Sequence, residues 1–116
     1  MSVEKLLQVA SRLRDDVDVI GRELTIQGTV DCVYNPLAYA WEVHKRYIEI
    51  SGGMGASTVM MGMNPGPHGM GQMGIPFAAT SMVRDLLGIS GIGVDQPSVI
   101  HPSRPVIGLD YPREEV

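Results

Sequence analysis

Val3, Leu6, Leu7, Ala10, Leu13, Val17 and Ile20 recur mostly at steps of three and four residues. That spacing lays one apolar stripe along a helix. Ser2 offers a hydroxyl for the N-cap, and Glu4 suits the positive end of the helix dipole. Gly21 predicts the stop. From Leu24 to Val33 the apolar positions are interrupted by Gly28, which reads as an irregular extended run. Tyr34-Asn35-Pro36 is a turn, because Pro36 pushes Asn35 out of the helical region. Pro36 can then open a second helix at its first position. Leu37, Ala40, Val43, Tyr47 and Ile48 carry that helix to about Ile50, and Gly52-Gly53 ends it.

Ala56 to Met63 is short, largely apolar and bounded by glycine and proline. This pattern predicts a buried strand. A long loop rich in glycine and proline follows from Asn64 to Pro76. Ser81 to Leu87 reads as a helix, with Thr80 or Ser81 as its cap and Gly88 as its stop. No period marks Ile89 to Pro105, and Val106 to Leu109 is a short strand or an extended run. Helix, helix, strand, glycine-rich loop and helix, in that order, predict an α/β layer fold with a ligand at the loop that leaves the strand. One strand cannot make a sheet. Its partners would have to come from 26–33, from 106–109, or from chain outside these residues.

With 116 residues, 44% of them hydrophobic and 19% charged, the chain reads as globular and of a size for one small domain. Net charge is −4. That is not the basic balance expected of a nucleic-acid binder, whose phosphate contacts supply much of the affinity. The single cysteine, Cys32, excludes an internal disulfide and reads as a small buried side chain. No apolar run approaches ~20 residues, so no membrane span is expected. The N-terminus lacks a signal-peptide pattern. The expectation is a soluble intracellular protein, nuclear in a eukaryote and cytoplasmic in a bacterium. Trp41 reads as core, and Arg84 with Asp85 as a surface pair or helix support.

The chemistry is concentrated in Gly62-Met63-Asn64-Pro65-Gly66-Pro67-His68-Gly69-Met70-Gly71-Gln72-Met73-Gly74-Ile75-Pro76-Phe77. Glycines let backbone approach a ligand closely, and prolines fix the path of the loop. Asn64 and Gln72 each donate and accept. Phe77 offers a flat face. A flat, polar heteroaromatic ligand suits this set, and so does a loop that only routes the chain. The segment is not a P-loop, since no Gly-Lys-Ser or Gly-Lys-Thr follows. Gly69-Met70-Gly71-Gln72-Met73-Gly74 matches a dinucleotide fingerprint by letter only, because Ile75-Pro76-Phe77 stands where a helix should already run.

Gly-Met-Asn-Pro-Gly-Pro, followed by Gly-Met, Gln and Ile-Pro-Phe, resembles the first motif of the single-strand-selective monofunctional uracil-DNA glycosylases. Tyr34 to Glu42 resembles the helix before that family's pocket, Ser81 to Ile89 the helix after it, and His101 to Leu109 a later segment. The resemblance runs from about Val33 to Val116. It implies the three-layer α/β sandwich of the uracil-DNA glycosylase superfamily, incomplete in this chain, with 1–116 as the N-terminal part of a single domain. It implies hydrolysis of the N-glycosidic bond of uracil, and of oxidised pyrimidines such as 5-hydroxymethyluracil, in single- or double-stranded DNA. An abasic site remains, and no metal or organic cofactor is needed. DNA is the implied partner of a monomer. By position, Asn64 is the implied catalytic residue, orienting water. Phe77 is implied to stack on the flipped base, and Met63, Gly66, Pro67 and Met70 to line the pocket.

This chain departs from the family at His68, where other members carry phenylalanine, and at Gly71, Met73 and Ala78-Ala79. The family pattern also has an Asn-Leu-Cys-Pro-like segment and a His-Pro-Ser-Pro-Arg motif beyond the matched region. His101-Pro102-Ser103-Arg104-Pro105 is a near-anagram of the second. Its surroundings align with the earlier segment, so His101 is not expected to be the catalytic histidine. The chain alone is therefore expected to lack part of its site, and a catalytically incomplete fragment with weak base or DNA binding is the alternative.

Overall fold

A computed structural model describes residues 2–112. Its elements are α1 (Val3–Ile26), α2 (Pro36–Tyr39), α3 (Trp41–Ser51), α4 (Met70–Met73) and α5 (Thr80–Asp85). Ser2 caps α1 by accepting a hydrogen bond from the Lys5 amide, as its position before the apolar stripe predicts. The helix does not stop at Gly21. A Cβ there would lie 3.0 Å from a Val33 methyl, so this glycine permits close packing of the 31–33 segment and the helix runs on to Ile26. The extended run expected from Leu24 accordingly begins as helix.

Pro36 opens α2 as expected. The single helix expected to reach Ile50 is broken at Ala40, whose φ of −109° and ψ of 28° end one helix and begin the next. Asn35 ties the start of α2 to α1, its Nδ2 donating to the Arg14 carbonyl and to Asp18 Oδ1, both at 2.9 Å. Trp41 is half-buried, and the Arg14 guanidinium sits 4.5 Å above its ring, so it is a cation-covered edge rather than core. Arg84 donates to the Leu109 carbonyl instead of pairing with Asp85.

The expectation of a three-layer α/β sandwich is overturned. The structure is 44% helix, and no strand forms among the described residues. The physical reason lies in 56–63. A strand needs a neighbouring backbone to complete its hydrogen bonds and a surface to cover its side chains. Here the segment meets neither, and Val59 and Met61 are 86% and 90% exposed. Apolar character made it look buried, but burial is decided by neighbours. Val106 to Leu109 forms no ladder either: Gly108 turns the backbone with φ +90°, and Leu109 lies in the turn that follows.

The core gathers instead around Val43, Met73, Ile75, Val83, Ile89 and Leu109. A smaller cluster joins Tyr39, Ala40 and Val106. Fully burying such side chains stabilises by about 1.5–3 kcal/mol each. This core lies directly behind the glycine-rich loop and fixes its second half. No helix among the described residues is long and apolar enough to cross a membrane.

Candidate functional site

The glycine-rich loop folds back on itself. Its second half is not structureless: Met70–Met73 makes one turn of helix, and Gly74 closes it with φ +79°. The Gly71 amide donates to the Gly66 carbonyl at 2.7 Å. That bond brings the start of the loop against α4. Met73 and Ile75 then anchor the loop in the core at 0% and 1% exposure.

Gln72 does most of the tethering. It is only 3% exposed. Its Nε2 donates to the carbonyls of Pro67 (3.2 Å) and Pro105 (2.8 Å), and its Oε1 accepts from the amides of Ile107 (2.7 Å) and Gly108 (3.2 Å). All four bonds go to backbone. The sequence pattern left Gln72 open to a ligand or to a loop that only routes the chain, and the fold uses its whole hydrogen-bonding capacity internally.

A cavity of about 580 Å³ opens on the outer side of this loop. Gly62, Met63, Asn64, Gly66, Met70 and Phe77 line it, and Ala78, Ala79 and Met82 close the far side. Asn64 and Phe77 therefore face one shared space. The ring of Phe77 lies over Gly62: a Cβ at 62 would sit 3.2 Å from its Cζ. Phe77 holds φ +58°, a left-handed backbone that is rare for a bulky side chain and costs on the order of 1–3 kcal/mol. That conformation aims the ring outward, 62% exposed, while Ile75 two residues earlier stays buried.

Asn64 contributes the one polar side chain among the lining residues. Its Nδ2 makes a long 3.4 Å bond to the Pro65 carbonyl, weak enough for a water to displace. No carboxylate, histidine or cation lines the cavity. It can hold a flat apolar-faced ligand and orient one water. It offers no general base.

No protein-family model matches the chain. The chain is 44% identical over 113 residues to the single-strand selective monofunctional uracil DNA glycosylase of Bos taurus, covering 97% of the chain and 40% of that protein. The proteins of the same name from Rattus norvegicus and Mus musculus are 45% and 43% identical over 94 residues. These matches cover 81% of the chain and 34% and 33% of those proteins. The chain belongs to this glycosylase family. It spans 33–40% of the length of these three relatives.

Of the six positions that the glycosylase resemblance singles out, Met63, Asn64, Gly66, Met70 and Phe77 come together at one cavity. Pro67 does not. It faces a second cavity on the other side of the Pro65–Gly66 wall, together with Gly66, Tyr34, His101 and Arg104. His68 stacks on Tyr111, with its Nδ1 2.9 Å from the Tyr111 hydroxyl. Met82 was missed as a lining residue. The signal was present, since it occupies the first turn of the helix that starts three residues after Phe77. Gly62 belongs to the motif, but its place beneath the Phe77 ring is a contact that spacing does not reveal.

His44 lies behind the loop, and its Nδ1 is 2.7 Å from the Gly74 carbonyl. Burial lowers its pKa, and the Gly74 carbonyl opposes that shift. Tyr39 donates to the Gly71 carbonyl, and burial raises its pKa well above the ordinary tyrosine value. Both groups are therefore held neutral beneath the loop at physiological pH, and both bond to its backbone.

Proposed function

We propose that this chain forms the base-holding and water-orienting side of a uracil-DNA glycosylase site used in base-excision repair. The observation that carries the reading is the shared cavity of Asn64 and Phe77. A uracil extruded from the strand stacks on Phe77, an interaction worth about 1–3 kcal/mol. The Asn64 amide cannot accept a proton as a general base, so it positions water against the sugar. Such a role fits a reaction in which the base leaves early and water captures a cationic sugar. Met70 and Gly66 line this cavity, and the family resemblance sets that part of the wall against the 5-position of the pyrimidine, so the proposed substrate class includes oxidised pyrimidines such as 5-hydroxymethyluracil. Single strands are the cheapest substrate, because extrusion of a paired base costs a few kcal/mol more.

A second reading rests on a specific observation. Apart from Asn64, no side-chain donor lines the cavity to meet the departing uracil anion. Losing one such fixed donor costs roughly 10²–10³ in rate in comparable oxyanion sites. Base binding without turnover follows from that.

A single-stranded oligonucleotide with one uracil separates the two readings. Abasic-site formation that falls about 10²–10³-fold in Asn64→Ala supports the glycosylase. Tighter binding of uracil than of thymine strands, without abasic sites, supports the binding fragment. Equal binding of both strands and no release would sink both.

A further inference from the structure

The cavity behind the Pro65–Gly66 wall has a different character from the base cavity. It measures about 520 Å³, and the segment 101–104 forms its rim. That segment is built to hold still. The Tyr34 hydroxyl donates to the Arg104 carbonyl at 2.7 Å and accepts from the His101 amide at 2.8 Å. The Arg104 amide returns to the His101 carbonyl at 3.0 Å. His101 Nδ1 accepts from the Ser103 amide at 3.1 Å. That bond uses Nδ1 as an acceptor and leaves Nε2 as the nitrogen of the ring that donates.

The rim therefore presents donors: the Arg104 guanidinium, His101 Nε2–H and the Ser103 hydroxyl. Among the described residues no carboxylate pairs with Arg104. No aspartate or glutamate lines this cavity, in a chain of net charge −4. The contrast with the cavity of about 630 Å³ beside α1 is sharp, since Asp18, Asp31 and Asp95 all face that one. A concave, acid-free set of donors around a guanidinium is suited to a phosphate group.

We propose that this second cavity binds a backbone phosphate of the same DNA strand whose base enters the Asn64–Phe77 cavity, with Arg104 as its main contact. The proposal rests on the glycosylase reading for the identity of the strand. The two cavities share Pro65 and Gly66 as a common wall. On this proposal, one strand crosses the shared wall, its base on one side and an adjacent phosphate on the other. The site also answers the charge question, since a locally basic rim can track DNA on an acidic chain.

The test is a salt titration of affinity for two single-stranded oligonucleotides, one with a uracil and one with thymine only. Arg104→Gln should weaken both about tenfold at low salt and flatten the slope of log affinity against log salt by about 0.7. Arg104→Lys should restore the slope and only part of the affinity, because it keeps the charge but loses the planar fork. The Arg104 side chain donates to the exposed Ser103 carbonyl, so both variants should fold, which circular dichroism checks. An unchanged slope in Arg104→Gln overturns the proposal, as does a wild-type chain that binds neither strand. Inorganic phosphate alone, followed by the His101 ring resonances, separates the sources. A response to it without any change in the DNA slope overturns the assignment to the strand. Equal wild-type affinity for the two strands, with the slope change intact, removes the glycosylase reading and leaves the phosphate contact standing.

Discussion

The chain that enters the Asn64–Phe77 cavity and the chain that leaves it are both rich in methionine and aliphatic residues, yet they are held in different ways. On the leaving side, Met73 and Ile75 are sealed into the core with Val43, Val83 and Ile89. On the entering side, Met61 and Met63 are 90% and 96% exposed. Composition is similar and environment is opposite. The difference shows that an apolar run becomes buried only where a complementary surface reaches it. It also gives the cavity one fixed wall and one wall supported mainly by its own turn.

The largest effect should come from the fixed side. Met73→Ala is expected to lower unfolding stability by about 2–5 kcal/mol, measured by urea denaturation, while Met61→Ala changes it by less than about 0.5 kcal/mol. Comparable losses from the two would break the comparison. Next comes the tether. Gln72→Met keeps the volume but leaves the Ile107 and Gly108 amides and two carbonyls without their partner. It should cost about 2–3 kcal/mol and release protection of the 107 and 108 amides in hydrogen exchange. Phe77→Ala then sharpens the functional side. Affinity for a uracil-containing strand should fall by about 1–3 kcal/mol, with a near-wild-type melting temperature, because the ring is already largely exposed.

The smallest effect is a pH dependence. His44 has a lowered pKa in the fold, so on acidification the unfolded chain takes up its proton first. Stability is retained above the ordinary histidine value near 6.5 and is lost as pH falls below it towards the lowered folded value. The melting temperature should drop modestly from pH 7 to pH 5. His44→Gln, which can still bond to the Gly74 carbonyl, should flatten that drop. A wild-type profile level across this range would contradict the lowered pKa of His44.

Local chemistry made part of the fold legible before any coordinates. Ser2 begins α1 and Pro36 begins α2 because a cap and a fixed φ act within a few residues. Features that depend on contacts distant in sequence were not legible. Gly21 looked like a helix stop and proved to be a contact with Val33. The helix expected through Ala40 breaks there, where Gly74 packs against the Ala40 methyl and carbonyl. The strand expected at 56–63, and with it the α/β sandwich, failed because apolar letters record affinity for a neighbour without supplying one. At the site, the motif put Asn64 and Phe77 on one loop, but only the fold shows that they face a common space while Pro67 faces away. Gln72 shows the same limit from the other direction, since spacing cannot distinguish a side chain that serves a ligand from one that serves its own backbone.

The left-handed backbone at Phe77 has a consequence for recognition. Backbone freedom at residue 77 is surrendered when the protein folds, so the stem that carries the ring is set before any ligand arrives. On the proposed glycosylase reading, less backbone ordering would then remain to be done at the moment a base is met.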